Sequence, residues 1–466
     1  MILQTTQKLR FGILLLVSMT GMPSPAAEPA WQHIGITAEK LEPDYWLSKA
    51  PAPNKVLMTP ETINERNTRL LSQEPSMVYW PNWPNQVTAE SIRKRIMGLA
   101  SLPAGPLFVH EDKPISEADT LLWQDNLALD TITPADNHDF GLIVQRTSVR
   151  RFPTAMPAHD WRGGLDIDRL QESALFPGTP VAVLHESRDR RWLFVQADNY
   201  AGWVSAESVA LALRETVMAY ARKMPRLYIT GAQIRTVFHP YAQDVSEKVL
   251  DMGISLPLLK DWPLSKPVND QGTLGSWVVE LPLRNSNGLL HIKPVLIPRS
   301  ADVSTSPLPA SAATLLRQSF KFLGERYGWG HDYNGRDCSG FVSEIYRSLG
   351  IFMPRNTGDQ ARSTQFERIA FEGLTSAERR LALKQLRIGD LIYIPGHVMM
   401  VIGQEADGPW VIHDVQRAGM LIDGKFWPLA LNSVAVTPLL PLASGPQTPF
   451  IGKITAVQRL LRAVEK

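Results

Sequence analysis

Apolar positions along this chain change their period three times. Between residues 28 and 135 they recur at helical spacing, broken by irregular stretches. Thr59-Pro60-Glu61 reads as an N-cap followed by proline at the first helical position. Ile63, Leu70 and Leu71 then fall on one helical face. A second helix starts at Thr88, with Val87 and Ile92 placed as a hydrophobic staple, and Ile96 and Leu99 continue its face. VYWPNWPN (Val78 to Asn85) predicts a proline-tied aromatic loop between them. From 138 to 212 the period shortens to that of strands. GLIVQ (141–145), TPVAVLHES (179–187), RRWLFVQAD (190–198) and AGWVSAESV (201–209) are separated by Gly, Pro, Asp and Asn, which predicts a small barrel. RLYIT (226–230), SWVVELPLR (276–284) and LLHIKPVLI (289–297) predict a second such unit over 225–305. ADVSTSPLPAS (301–311) reads as a linker. The block 310–445 returns to helix first, with Leu315, Leu316, Phe320 and Leu323 on one face, and residues 446–466 read as a C-terminal tail.

The first 27 residues change the picture of where the protein works. Lys8 and Arg10 precede the apolar run Phe11 to Met22, and PSPAAEPA follows with cleavage expected after Ala26 or Ala27. This is a signal-peptide layout, too short to span a bilayer, which needs about 20 residues. An exported protein is expected, periplasmic if the cell is Gram-negative, with no membrane span after signal cleavage. The 48 basic and 46 acidic residues nearly cancel, so nothing calls for nucleic acid. A monomer is expected.

Exported proteins usually carry paired cysteines, and this one has a single thiol, Cys338, in GRDCSGF (335–341). Phe341, Val342, Ile345, Tyr346 and Leu349 form an apolar stripe beyond it, so Cys338 stands at or just before a helix N-terminus. There the helix dipole and free N–H groups favour a thiolate and can hold an oxyanion. A nucleophilic cysteine needs a base. His397 opens HVMMVIG directly after LIYIPG, and His413 lies in WVIHDV, with Glu405 to Gly408 as turn residues between. The two segments predict a hairpin whose register stays open. In that reading His397 takes the thiol proton and His413 holds its tautomer. A thiolate–imidazolium pair is expected, and with it a bell-shaped pH–rate profile. No HExxH or CxxC pattern points to a metal, and the chemistry requires no cofactor.

Taken in order, YGWG (327–330), DCSGF, MPRNTGDQ (353–360), GDLIYIPGHVMMVIG and VIHDV resemble the NlpC family of cell-wall cysteine peptidases over residues 310–440. The glycine-tryptophan-valine run at 202–204 resembles bacterial SH3-like domains. The fold class so implied is α+β: a papain-like catalytic domain, helix on antiparallel sheet, preceded by two small SH3-like β-barrels and a mostly helical N-terminal segment. The resemblance implies hydrolysis of peptidoglycan stem peptides or muropeptides between D-γ-glutamate and the diamino acid, with meso-diaminopimelate expected. It matches Cys338 to the nucleophile, His397 to the base and His413 to the polar third member. Tyr327 matches a tyrosine near the oxyanion, and Asp337 and Ser339 flank the nucleophile where the family contacts the glutamate carboxylate.

The chain departs from that pattern at His331, where the family has glycine; it reads either as a residue that reaches the site or as a loop histidine, the second being favoured. It departs again after Pro354-Arg355, where Asn356 and Thr357 replace an aspartate that recognises a free L-alanine amine; Asp359 is the candidate substitute. Arg355 reads either as a surface charge or as a tie to the strand sheet. RRFPT (150–154) and DIDRLQES (166–173) border the expected cleft, and Asp166 and Glu172 in them are candidates for substrate contact as well as ordinary loop charges. A non-catalytic wall-binding adaptor and a thiol acyltransferase are the competing functions.

Overall fold

The computed structural model describes residues 35–462 apart from 111–112, 137–138 and 161–164. The expected signal peptide therefore lies outside the described residues.

The N-terminal helices form where capping chemistry begins them. α1 (Pro43–Lys49), α2 (Pro60–Gln73), α3 (Ala89–Leu99) and α4 (Glu117–Asn126) follow in order. Thr59 and Thr88 accept hydrogen bonds from the N–H groups of Thr62 and Ser91, as the sequence predicts. Ser116 and Asp119 close a capping box on α4 that the hydrophobic pattern did not reveal. α2 buries Arg66 and Asn67 beside Ile63 and Leu70. Asn67 donates to the Gly350 carbonyl at 2.7 Å and accepts from the Phe352 N–H at 3.1 Å. On α1 the Trp46 ring lies 5.7 Å from that of Trp410 and covers Gly403 so closely that a methyl there would stand 2.4 Å from the indole. α1 and α2 are thus fastened to the last domain of the chain, whereas Ile92 and Ile96 of α3 and Trp123 of α4 pack into the core of the barrel that follows, with Phe140, Leu142 and Trp203.

The first β unit is a seven-stranded antiparallel sheet. Its strands are β1 (Phe140–Ile143), β2 (Thr147–Arg150), β3 (Gln171–Leu175), β4 (Pro180–Glu186), β5 (Trp192–Gln196), β6 (Ala201–Ser205) and β7 (Val209–Ala212). They are ordered β7-β1-β4-β5-β6-β2-β3. β2 and β3 are additional to the predicted strands; both are short, and their apolar residues are few. α5 (Arg214–Arg222) leads to the second β unit, dominated by the hairpin β8 (Ser276–Arg284) and β9 (Leu290–Pro298), paired from Ser276↔Pro298 to Arg284↔Leu290. Val279, Leu281, Val295 and Ile297 pack there against Leu227, Ile229 and Leu256. The expected linker is pinned rather than loose: Ala310 bridges to Met58, and Leu308 donates to the Ser348 carbonyl at 2.9 Å.

The last domain sets α6 (Ala312–Phe320) and α7 (Cys338–Ser348) beside a six-stranded antiparallel sheet. α8 (Thr357–Arg362), β10 (Glu367–Ala370), α9 (Ser376–Leu383), β11 (Leu391–Ile394), β12 (His397–Glu405), β13 (Gly408–Val415), β14 (Ser433–Pro438) and β15 (Ala456–Arg459) complete it. The strand order is β10-β15-β11-β12-β13-β14. The reading of 446–466 as a tail is corrected here, because β15 is an interior strand between β10 and β11. Its residues are buried on both faces, so AVQR shows no alternation for a pattern search to find.

Candidate active site

Asp337 caps α7, its Oδ1 accepting the Gly340 N–H at 2.8 Å, and Cys338 is the first residue of the helix. Phe341, Val342, Ile345, Tyr346 and Leu349 are fully buried and fix that helix against its neighbours. The thiol is also buried. Its Sγ lies 4.0 Å from the Gly396 carbonyl, and the Val398 N–H points to it. Gly396 and Val398 flank His397, so the sulfur is held against the start of β12. Gly396 takes a φ of +77° in the two-residue turn from β11, a conformation glycine adopts without strain.

His397 Nε2 lies 2.9 Å from His413 Nδ1, and His413 Nε2 lies 3.0 Å from the hydroxyl of Thr437. β12 and β13 form the expected hairpin, joined through Glu405↔Gly408, with a bulge between Val401 and Gly403. Thr437 escaped the sequence reading. Its signal is weak, an alternating SVAVTP run whose register alone brings the hydroxyl to the imidazole.

The charge state differs from the sequence expectation. Burial, followed by the nearby Asp337 carboxylate, pushes the Cys338 thiol up to about 12. Burial holds His397 down to about 4, and burial with its neighbour His397 keeps His413 well below the usual imidazole range. The resting pair is a thiol and a neutral imidazole. Desolvation outweighs the helix terminus because the sulfur is almost sealed from water.

Arg355 resolves as a buried tie. It donates from Nη2 to Asp337 Oδ2 at 2.7 Å, from Nη1 to Ser339 Oγ at 2.8 Å, and from Nε to Ser173 Oγ of β3 at 2.7 Å. Its charge, against the opposing effect of burial, holds the Asp337 carboxyl at about 2. His331 does lie in the loop before α7, but it reaches the site. It is buried, with Nδ1 3.0 Å from Arg355 Nη2 and Nε2 3.2 Å from Glu344 Oε1. Its φ of +65° explains why glycine suits this position; these two contacts hold the strained backbone. Beside it, Arg336 is wholly buried among Glu344, Glu325 and Asp251. Arg146 of the β1–β2 turn pairs with the same Asp251 and donates to the carbonyls of His331 and Gly335. Both β units therefore grip the loop that delivers the cysteine.

The remaining sequence candidates separate. Tyr327 is buried near the thiol; burial, then Cys338 and Asp337, raise its phenol and keep it protonated. Ser339 donates to Asp337 Oδ1 at 3.1 Å. Glu172 takes both Arg151 donors on Oε1, at 2.8 and 2.6 Å, and the Tyr200 hydroxyl on Oε2, one residue from the serine that holds Arg355. Asp166 pairs with Arg326 and Asn432, tying the first β unit to the strand edge ahead of the cysteine loop. Asp359 is occupied by Arg362 and Asn356 on α8 and does not join the cysteine. Among the described residues no group of three or more His, Cys, Asp or Glu stands in metal-holding geometry.

A cysteine-bearing helix on an antiparallel sheet, with His397 and His413 on adjacent interior strands of that sheet, defines a papain-like α+β domain. Residues 324–423 match the NlpC/P60 family, and residues 158–205 match the SH3 domain of SH3b1 type. The chain thus carries an NlpC/P60 domain preceded by an SH3b domain. Among curated proteins it is similar to the gamma-D-glutamyl-L-lysine dipeptidyl-peptidases of Bacillus subtilis (strain 168) and Bacillus cereus (strain ATCC 10987 / NRS 248). The first is 29% identical over 25% of this chain and 37% of the relative. The second is 27% identical over 42% of this chain and 55% of the relative. The matches therefore span between about a third and about half of those relatives' lengths. A solved structure described as a novel NlpC/P60 endopeptidase from Photobacterium damselae subsp. piscicida shares the fold, with a TM-score of 0.69 at 17% identity, covering 95% of this chain and 99% of that one.

Proposed function

We propose that the protein is an exported cysteine endopeptidase of peptidoglycan, working in the periplasm as a monomer. Its reaction is cleavage of the stem peptide between D-γ-glutamate and the diamino acid, meso-diaminopimelate. The observation that carries this reading is the placement of Cys338, at a helix N-terminus, against the residues flanking His397, whose far nitrogen is engaged by His413.

In this mechanism His397 takes the thiol proton as Sγ attacks the amide carbonyl. Backbone N–H groups at the start of α7 and the Tyr327 hydroxyl receive the developing oxyanion. The proton passes to the leaving amine, the C–N bond breaks, and a thioester remains on Cys338. His397 then activates water, which releases the acid and restores the thiol. Ser339 is assigned to the glutamate carboxylate, for which its hydroxyl would turn from Asp337 Oδ1. Asp337, already paired with Arg355, acts by capping α7 and positioning the sulfur. Glu172 is neutralised by Arg151, and Asp359 by Arg362, which supports admission of stems without a free amino end. The names of the Bacillus relatives favour the γ-D-glutamyl linkage.

The test is mass spectrometry of defined muropeptide digests by wild type and Cys338→Ala, using stems with a free L-alanine and stems still joined to muramic acid. Thiol-dependent release of the diamino acid fragment is expected from both. Wall binding without cleavage by the wild type would favour the adaptor reading, and transfer of the acyl group to an added amine the acyltransferase.

A further inference from the structure

The two imidazoles and Thr437 form one buried hydrogen-bonded row crossing three strands. β13 and β14 pair Val411↔Thr437 and His413↔Ala435, so the threonine stands on the diagonal from His413. The small Ala435 directly opposite leaves room for the ring to lean that way. From there the row continues across to β12 and His397, with steps of 3.0 and 2.9 Å. Thr437 and His413 are both almost fully buried.

A row of two neutral imidazoles can run in either of two directions, since each ring carries one N–H. In one, His397 Nε2–H donates to His413 Nδ1, and His413 Nε2–H donates onward. His397 Nδ1 is then a bare lone pair able to accept a proton. In the other, His413 Nδ1–H donates back to His397 Nε2, the proton of His397 sits on Nδ1, and the base is lost. The first direction requires an acceptor at the far end, because a buried N–H without one costs about 1–3 kcal/mol. Among the described residues, it is the Thr437 hydroxyl that stands at His413 Nε2.

We propose that Thr437 is a positioning residue that makes the first direction possible, its hydroxyl accepting the Nε2–H of His413 so that His397 can keep the tautomer that accepts the thiol proton. It touches neither substrate nor sulfur. An apolar side chain of the same shape would strand the Nε2–H of His413, and the row would reverse to pair its remaining donors. The same direction also serves the imidazolium formed during the reaction, whose Nε2–H again points at His413. The catalytic part of this inference rests on the cysteine peptidase reading; the tautomer part does not.

The experiment compares wild type, Thr437→Val and Thr437→Ser in three measurements. The first is the ring nitrogen–proton correlation spectrum of His413, which reports the tautomer without any substrate. Nε2–H is expected in wild type and Thr437→Ser, and Nδ1–H in Thr437→Val. The second is the rate of Cys338 alkylation by iodoacetamide, expected to fall about a hundredfold in Thr437→Val and to return in Thr437→Ser. The third is hydrolysis of the muropeptide, where kcat falls by a similar factor at unchanged KM. A merely structural role would lower the melting temperature of Thr437→Val and leave the tautomer unmoved. An Nδ1–H tautomer of His413 in the wild type, or wild-type alkylation by Thr437→Val, overturns the proposal. If no protein hydrolyses the peptide while tautomer and alkylation respond as stated, the peptidase reading fails and the role of Thr437 stands.

Discussion

Arg355 and Asp337 meet in a two-pronged ion pair at the N-terminus of the cysteine helix, 2.7 Å from Nη2 to Oδ2 and 3.2 Å from Nη1 to Oδ1. Both groups are buried, and the third nitrogen of the guanidinium reaches Ser173 in the first β unit. One side chain therefore joins two domains and the residue preceding Cys338. Arg355→Ala would leave the Asp337 carboxylate buried without its partner, and should cost about 3–5 kcal/mol in denaturant unfolding. Arg355→Lys keeps the charge but not the fork, so it should recover only part of that loss. A cost below about 1 kcal/mol for Arg355→Ala would mean that the ion pair does not tie the domains.

The neutral state of Cys338 and His397 has a direct kinetic signature. With the thiol at about 12 and the imidazole at about 4, deprotonation of His397 creates the base as pH rises. The rate should climb through about pH 4, then stay level through neutrality, and ultraviolet thiolate absorbance should be missing at neutral pH. A narrow bell with thiolate already present at its centre would restore the ion pair expected from the sequence.

Asp414 stands beside His413 in sequence, is fully buried, and neither of its carboxyl oxygens has a hydrogen-bond partner among the described residues. Burial, then the carboxylates of Asp337 and Glu325, raise it from 3.8 to about 9. The folded protein thus holds a proton that the unfolded chain releases. The stability this lends is fully present below about pH 4 and is lost as pH rises toward 9, at about 1.4 kcal/mol per pH unit. Asp414→Asn should flatten the fall of melting temperature between about pH 5 and pH 8. An unchanged slope would show that Asp414 is ionised in the fold.

Gly340 lies in the first turn of α7, where alanine would ordinarily gain about 1 kcal/mol of helix propensity. Here an added methyl would stand 2.3 Å from His331 Cε1 and 2.5 Å from its Nε2. That ring is held between Arg355 and Glu344 and cannot swing away without breaking both contacts. Overpacking should win, and Gly340→Ala should destabilise by about 1–3 kcal/mol in thermal or denaturant unfolding. Stabilisation instead would mean that His331 moves freely.

Short-range signals carried much of this protein into view from its sequence. Thr59 and Thr88 announced their helices, the stripe from Phe341 to Leu349 placed Cys338 at a helix start, and the turn residues 405–408 gave the hairpin of His397 and His413. These features depend on neighbours within a few residues, where capping, periodicity and turn chemistry act. What only the tertiary structure decided involves groups distant in the chain. β15 is an interior strand because two other strands flank it, not because AVQR alternates. The burial of Arg355 and His331 follows from the first β unit closing over the cysteine loop. Thr437 reaches His413 through register alone. The thiol stays protonated because burial depends on everything packed around it, and a sequence records its neighbours but not its solvent.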